Sequence, residues 1–235
     1  MFSWYKYSSI CFVYLSAYVC PVPIESSPEA KAVLLMESDL WICRWFSRGW
    51  TLQELIVPQK VIFFFFDCNW SQFGEKSELV GMLSEITNIS TGVLTGHQRL
   101  HEVSVAQRMS WAAYRETTRI EDYAYCLLGI FGINMHLMYG EGDKAFLRLQ
   151  EKTLKQCKDL SLFAWTKNDL AWESERYGEI FASSPIHFAE CYKMKSLAQT
   201  QRRRKEFALT NNGLMVNAIV EKGGENETCY LDLDT

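Results

Sequence analysis

The chain has 235 residues, 48% hydrophobic and 14% aromatic, with a formal net charge of −4. That length and apolarity exclude a disordered protein and predict one large domain or two small ones, burying roughly 70–75% of the unfolded surface. The mild acidic balance lacks the basic excess that nucleic-acid binding needs, so no nucleic-acid partner is expected.

Residues 10–19 form an apolar run with Lys6 upstream, which imitates a signal peptide. The run is short, no small-x-small cleavage site follows it, and Pro21 and Pro23 stand where the cut would fall, so a buried parallel strand over 10–15 is the better reading. No run reaches the roughly 18 apolar residues of a membrane helix, so no membrane partner is expected. The Pro- and Ser-rich stretch 21–28 is a loop by composition. A helix is predicted over about 47–56: Ser47 can cap it, Leu52, Leu55 and Ile56 fall at i, i+3 and i+4, and Pro58 stops it. Trp50 and Glu54 share one edge of that helix, and Arg44 and Arg48 join them if it extends back a turn. The apolar run 61–66 then predicts a second strand, and strand–helix–strand with near-continuous apolar strands points to a parallel sheet covered on both faces.

Residues 67–157 read as helical. An amphipathic pattern covers 75–87, Ser104 can cap a helix to about Tyr114, and Thr118-Arg119-Ile120-Glu121 has capping-box spacing. Asp143 can cap a helix to about Cys157. From Asp159 onward the pattern becomes short strands, at 160–166, 207–210, 214–220 and 230–233, with Asn211-Asn212-Gly213 as a hairpin turn.

The eight cysteines (11, 20, 43, 68, 126, 157, 191 and 229) form no C-x-x-C pair, so they read as reduced thiols in an intracellular protein, without a disulfide framework or a zinc site. His97 and His101 are four apart, but no third ligand accompanies them and they read as surface residues, so no metal is expected. Arg115, Arg119, Glu121 and Asp122 cluster at a helix start, where capping and surface ion pairs are the favoured reading over a docking network. The basic run 201–205 reads as a solvated loop, and Gly140-Glu141-Gly142 as a turn because it lacks the GK[ST] ending of a phosphate loop.

Several motifs carry a resemblance. Arg48-Gly49-Trp50-Thr51-Leu52-Gln53-Glu54-Leu55 resembles the closing motif of the fungal HET, or heterokaryon incompatibility, domain. Ser110-Trp111-Ala112-Ala113 and the run from Arg115 through Phe131 resemble the region that follows that domain. Residues 138–142, 145–150, 159–165, 181–185 and 210–214 continue the match, so that it spans nearly the whole chain. Met1–Lys6 resembles the middle of a HET domain, and the family's earlier blocks do not precede it. The resemblance therefore divides the chain into the C-terminal part of a HET domain (1–66), a helical HET-associated region (67–157) and a truncated β-rich region (158–235).

What the resemblance implies is a role in vegetative incompatibility: fungal non-self recognition, an innate immunity that ends in programmed cell death. The implied partners are other incompatibility or signalling proteins, with self-association, in the cytoplasm. A more distant similarity links Trp50-Thr51-Leu52-Gln53-Glu54-Leu55 to the Trp-Cys-Leu-x-Glu-Leu motif of TIR domains, which also precedes a hydrophobic strand. It implies a partial TIR-like (flavodoxin-like) α/β sheet, followed by helical and antiparallel β-rich regions. It also implies an NAD glycohydrolase in which Glu54 is catalytic and NAD is substrate, with no resident cofactor. Arg44 or Arg48 would then hold the diphosphate, and Trp45 or Trp50 would stack on a base. A non-functional truncated paralogue is the remaining alternative.

Overall fold

The structure is a computed structural model and describes residues 5, 8, 10–16, 18–20, 39–57, 62–157, 159–166, 180–194, 207–210, 213–216, 220–222 and 229–231. The expected loop at 21–28, the basic run 201–205 and the turn residues Asn211 and Asn212 lie outside them.

Strands β1 (Ile10–Tyr14) and β2 (Ile62–Phe66) pair in parallel, from Ile10 opposite Ile62 to Tyr14 opposite Phe66. Parallel neighbours need a long crossover, and this one contains α1 (Arg44–Ser47) and α2 (Thr51–Ile56). The α/β class expected from the sequence is the one found. The sheet is mixed, however, because β3 (Gln72–Glu75), which the sequence placed within a helical region, returns antiparallel to β2. The reversal rests on Asp67. Its carboxylate accepts from the backbone N–H groups of Asn69 (2.9 Å), Ser71 (3.0 Å) and Cys20 (3.3 Å). These bonds stabilise a turn in which Trp70 adopts φ 60, a conformation disfavoured for a bulky side chain. Burial pushes the Asp67 carboxyl up, but the N–H donors of Ser71, Cys20 and Asn69 outweigh it and hold the group below its ordinary value.

Only Val13 of β1 is buried. Ile10, Phe12 and Tyr14 point to the other face and are exposed, so the expected strand buried on both faces is an edge strand buried on one. Tyr14 stacks on Trp70 at 4.4 Å between ring centroids.

The first three of the helices beyond the sheet follow from their caps. Helix α3 (Lys76–Thr87) opens with a Glu75/Glu78 capping box and closes on Asn88 in the left-handed region. Helix α4 (Thr91–Thr95) is capped by Ser90 and ends at Gly96, φ 78. Helix α5 (Val105–Ser110) is capped by Ser104 as predicted, but gives way to turns before Tyr114. Short helices α6 (Asp122–Tyr125) and α7 (Leu128–Phe131) follow, the latter ending on Gly132, φ 65. Helix α8 (Lys144–Gln156) follows Asp143, whose side chain makes no capping hydrogen bond, contrary to expectation; the helix is set by its one buried stripe, Ala145, Phe146, Leu149, Gln150, Thr153 and Leu154.

Residues 160–166, expected as a strand, instead begin with a 3-10 helix, Leu160–Phe163. Asp159 is the reason. One carboxylate oxygen accepts from Ser161 N (2.9 Å), which starts a local turn, and the other accepts from Val105 N (2.8 Å). The Ser161 hydroxyl accepts from Ala106 N (3.0 Å), so three side chains satisfy the free donors at the start of α5. A further 3-10 segment, Pro185–Lys193, packs on α5. Beyond it, β4 (Phe207–Thr210) pairs antiparallel with β5 (Gly213–Val216), with Thr210 opposite Gly213. Strand β6 (Val220–Lys222) pairs likewise with β7 (Cys229–Leu231). One hydrophobic core runs from Val13, Leu15 and Phe65 of the sheet through Leu52, Leu55 and Ile56 to Tyr125, Leu127 and Leu149.

Candidate functional site

The predicted helix over 47–56 is broken. Arg48 is extended (φ −80, ψ 136), and Trp50 is the residue preceding α2. Ser47 caps nothing in α2; its hydroxyl donates to Arg44 O at 3.1 Å. The break has a cause. Residues 47–49 form a short parallel bridge with Glu116, in which Gly49 N donates to Glu116 O (2.9 Å) and Glu116 N donates to Ser47 O (2.5 Å).

Around that bridge the two longest motifs lock together. Arg115 is 4% exposed. Its Nε donates to Trp111 O (3.1 Å), and its Nη1 donates to Arg48 O (2.8 Å) and Thr51 Oγ1 (3.0 Å). Gln53, also buried, donates from Nε2 to Cys126 O (2.5 Å). Gly49 fits because a Cβ there would stand 2.6 Å from Thr117 Cγ2 and 3.3 Å from Cys126 Sγ. Burial pulls the Arg115 guanidinium down to about 10, against the opposing influence of Cys126 and Glu54. Burial likewise pushes the Cys126 thiol up to about 12.

Glu54 lies on α2 beside this junction and is half-buried. Tyr5 Oη donates to its Oε1 at 2.9 Å. Burial and then the Glu54 charge raise the Tyr5 phenol above its ordinary value, so Tyr5 stays a donor at neutral pH. Cys11 of β1 is near enough to feel the same carboxylate; burial first and Glu54 second push its thiol up to about 11. Lys76, at the start of α3, donates from Nζ to Leu55 O (2.5 Å), and burial brings it down to about 8. The surroundings of Glu54 thus combine a phenol, a thiol, a buried amine and a buried guanidinium.

The remaining predicted residues divide. Trp50 is half-buried and packs against the core, as does Trp45. Arg44 and Arg48 are exposed, and neither side chain has a hydrogen bond or ion pair among the described residues. They do not lie on one continuous helix, because the chain is extended at Arg48. Tyr5, Cys11, Lys76 and Arg115 were not singled out for this site from sequence. The one signal for Arg115 was a charge following the compact, buried run Ser110-Trp111-Ala112-Ala113.

A second network shows that the cluster at 115–122 is not a set of surface ion pairs. Arg115, Glu121 and Asp122 are buried. Glu121 Oε1 forms no capping box but accepts from Gly140 N (2.6 Å) and Gly142 N (3.2 Å). Its own backbone N–H and those of Gly140 and Gly142 hold this carboxyl below its ordinary value. Tyr139 Oη donates to Asp122 Oδ1 (3.0 Å), and Tyr125 Oη donates to Glu141 Oε1 (2.9 Å) while accepting from Met138 N (2.7 Å). Arg148 of α8 donates to the same Glu141 oxygen (2.5 Å) and to His136 O (2.8 Å). The turn at 138–142 is therefore held from α6 and α8 together. No group of three or more His, Cys, Asp or Glu among the described residues is placed to hold a metal ion.

Comparison with known proteins bears on these motifs. The chain is 40% identical over 156 residues to vegetative incompatibility protein HET-E-1 of Podospora anserina, covering 65% of this chain and 11% of that protein. It thus spans a small part of the relative's length. No family model matches the chain. No solved structure matches it significantly. Over that segment the chain is similar to a fungal vegetative incompatibility protein.

Proposed function

We propose that the chain acts in fungal vegetative incompatibility, as a signalling module of the non-self recognition that leads to growth arrest and cell death. The observation that carries this reading is the 40% identity to HET-E-1 over 156 residues. Its support in the fold is that Arg48–Leu55 and Arg115–Cys126, the segments with the strongest motif resemblance, meet in one buried junction. The partners on this reading are other incompatibility proteins or further copies of the chain, in the cytoplasm. No helix among the described residues is long and apolar enough to cross a membrane. Inducible expression of the chain in a fungal host, scored by vital staining, tests the proposal. Death on induction is expected, and normal growth at full expression would count against it.

One observation favours a second, chemical reading. Glu54 keeps one oxygen engaged by Tyr5, and its other oxygen has no hydrogen-bond partner among the described residues. A carboxylate so placed can stabilise the oxocarbenium-like state formed when the bond between nicotinamide and ribose of NAD breaks. Nicotinamide release from NAD by the purified chain is the measurement, and equal rates for wild type and Glu54→Ala would sink this reading.

A further inference from the structure

We propose that β1 is a pairing edge for a second copy of this chain, which adds its own β1 antiparallel across a two-fold axis at Phe12 and so joins the two sheets into one. The inference rests on the part of the proposed function that includes further copies of the chain as partners, and it names the surface they use.

The sheet order β1-β2-β3 puts β1 at one edge. Its outer side chains belong to an apolar surface: Ile10 is 48% exposed, Phe12 62% and, from the turn beyond β2, Trp70 65%. Ring contacts make that surface continuous, with centroids 5.7 Å apart from Phe12 to Phe66, 6.0 Å from Phe66 to Trp70 and 4.4 Å from Trp70 to Tyr14. Trp70 keeps its place there only at φ 60, a backbone conformation that costs energy at a bulky residue and so argues for a surface with a use. Sheets blunt an exposed edge with a charge, a proline, a bulge or a short strand. The β3 edge is blunted in this way: it has four residues, ends in Glu75 and meets β2 through a register shift at Phe65/Phe66. Strand β1, Ile10-Cys11-Phe12-Val13-Tyr14, carries no charge and no proline.

Parity makes a second copy the occupant that fits. Leu15 N donates to Phe66 O (2.9 Å), so residues 11, 13 and 15 direct their backbone groups to β2, and residues 10, 12 and 14 direct theirs to the opposite side. An antiparallel copy centred on Phe12 sets Ile10 opposite Tyr14 of the second copy and Phe12 opposite Phe12. Every outward-directed residue then meets another of the same set. A side chain at a two-fold axis faces its own kind, which repels if it is charged, and an uncharged strand meets that condition. Because β3 is blunted, the pairing closes at two chains and does not propagate into a fibre. Five residues a side bury less than the ~800 Å² per partner of a standard stable interface, so a weak dimer with Kd in the micromolar range is expected.

The test is sedimentation velocity of the full chain across a concentration series. Wild type is expected to pass from monomer to dimer, and a chain that stays monomeric to submillimolar concentration overturns the proposal. Phe12→Lys and Phe12→Glu should each weaken dimerisation about tenfold or more, because like charges meet at the axis. Mixed in equal amounts, the two variants should recover it, because opposite charges then meet. Unchanged dimerisation in either variant alone, or no recovery in the mixture, overturns the two-fold register. Circular dichroism checks that the variants fold, as substitution at an exposed position permits. If they do not, hydrogen exchange on wild type answers instead. With rising concentration the amides of Ile10 and Tyr14 should gain about tenfold protection, while those of Cys11 and Val13, already bonded to β2, change little. No gain at Ile10 and Tyr14, or an equal gain at all four, overturns the assignment. A chain that dimerises in this way and leaves the fungal host growing removes the signalling reading alone, whereas a monomeric chain that kills removes this inference alone.

Discussion

Gly49 stands where the segments 47–49 and 115–117 are bridged, and its missing side chain is what permits the approach. A Cβ at that position meets Thr117 Cγ2 at 2.6 Å, closer than packed atoms tolerate. Gly49→Ala is therefore expected to destabilise the fold by about 1–3 kcal/mol in chemical denaturation. Thr117→Ser removes the offending methyl and keeps the hydroxyl that donates to Arg119 O. It should restore most of the loss in the double variant; if it restores none, the close approach is not the cause. Cys126 lies against the same spot, and its thiol is raised from 9.0 to about 12. A raised folded pKa means that the stability it contributes is present below pH 9 and lost as the pH rises through 12, because the unfolded chain releases the proton first. Denaturation midpoints measured between pH 9 and 12 should fall less steeply in Cys126→Ala than in wild type, by up to ~1.4 kcal/mol per pH unit. Parallel slopes would show that the thiol is not protected as described.

Helix α8 depends on one buried amide at the element scale. Gln150 donates from Nε2 to Ala182 O (2.7 Å) and accepts from Ala182 N (3.0 Å), a reciprocal pair that fixes residues 181–184, which have no regular secondary structure of their own. Gln150→Leu would leave both backbone groups of Ala182 buried and unpaired, at a cost of about 2–5 kcal/mol. Hydrogen exchange should quicken at Ala182 N in that variant, and unchanged protection there would refute the pairing. Elements were legible in the sequence where apolar periodicity or a local cap was strong: the amphipathic pattern marked α3 and α8, although Asp143 makes no capping hydrogen bond, and Ser104 marked the start of α5. They were not legible where a distant partner decided. The stretch 160–166 has the composition of a strand, but Asp159 is drawn into capping α5 and bends the chain into a 3-10 turn. The helix expected from Ser47 onward is likewise interrupted because Glu116, far along the chain, captures the backbone at 47–49.

Across the whole molecule the sequence disclosed the α/β class, the β1–β2 pair and a helix that carries Glu54. It did not disclose the third strand, because the turn that creates β3 depends on a carboxylate that also reaches back to Cys20. The site was legible only in part for the same reason. Glu54 announces itself within a motif, whereas Tyr5, which bonds it, and Cys11, Lys76 and Arg115, which lie about its helix, come from four other places in the chain and gather only in three dimensions.

The bridge between residues 47–49 and Glu116 also bears on how such a chain is inherited. Read as sequence, position 66 looks like a seam at which one module ends and another begins. In the folded chain, Arg115 finds its acceptors at Arg48 and Thr51, and Gln53 finds its own at Cys126. Recombination at that seam would give each descendant half of a handshake: one with a buried arginine left with Trp111 O as its one acceptor of the three, the other with a helix start and nothing to seat it. The two stretches are expected to travel through genomes as a single cassette and to change in step, even where the segment joining them is free to drift.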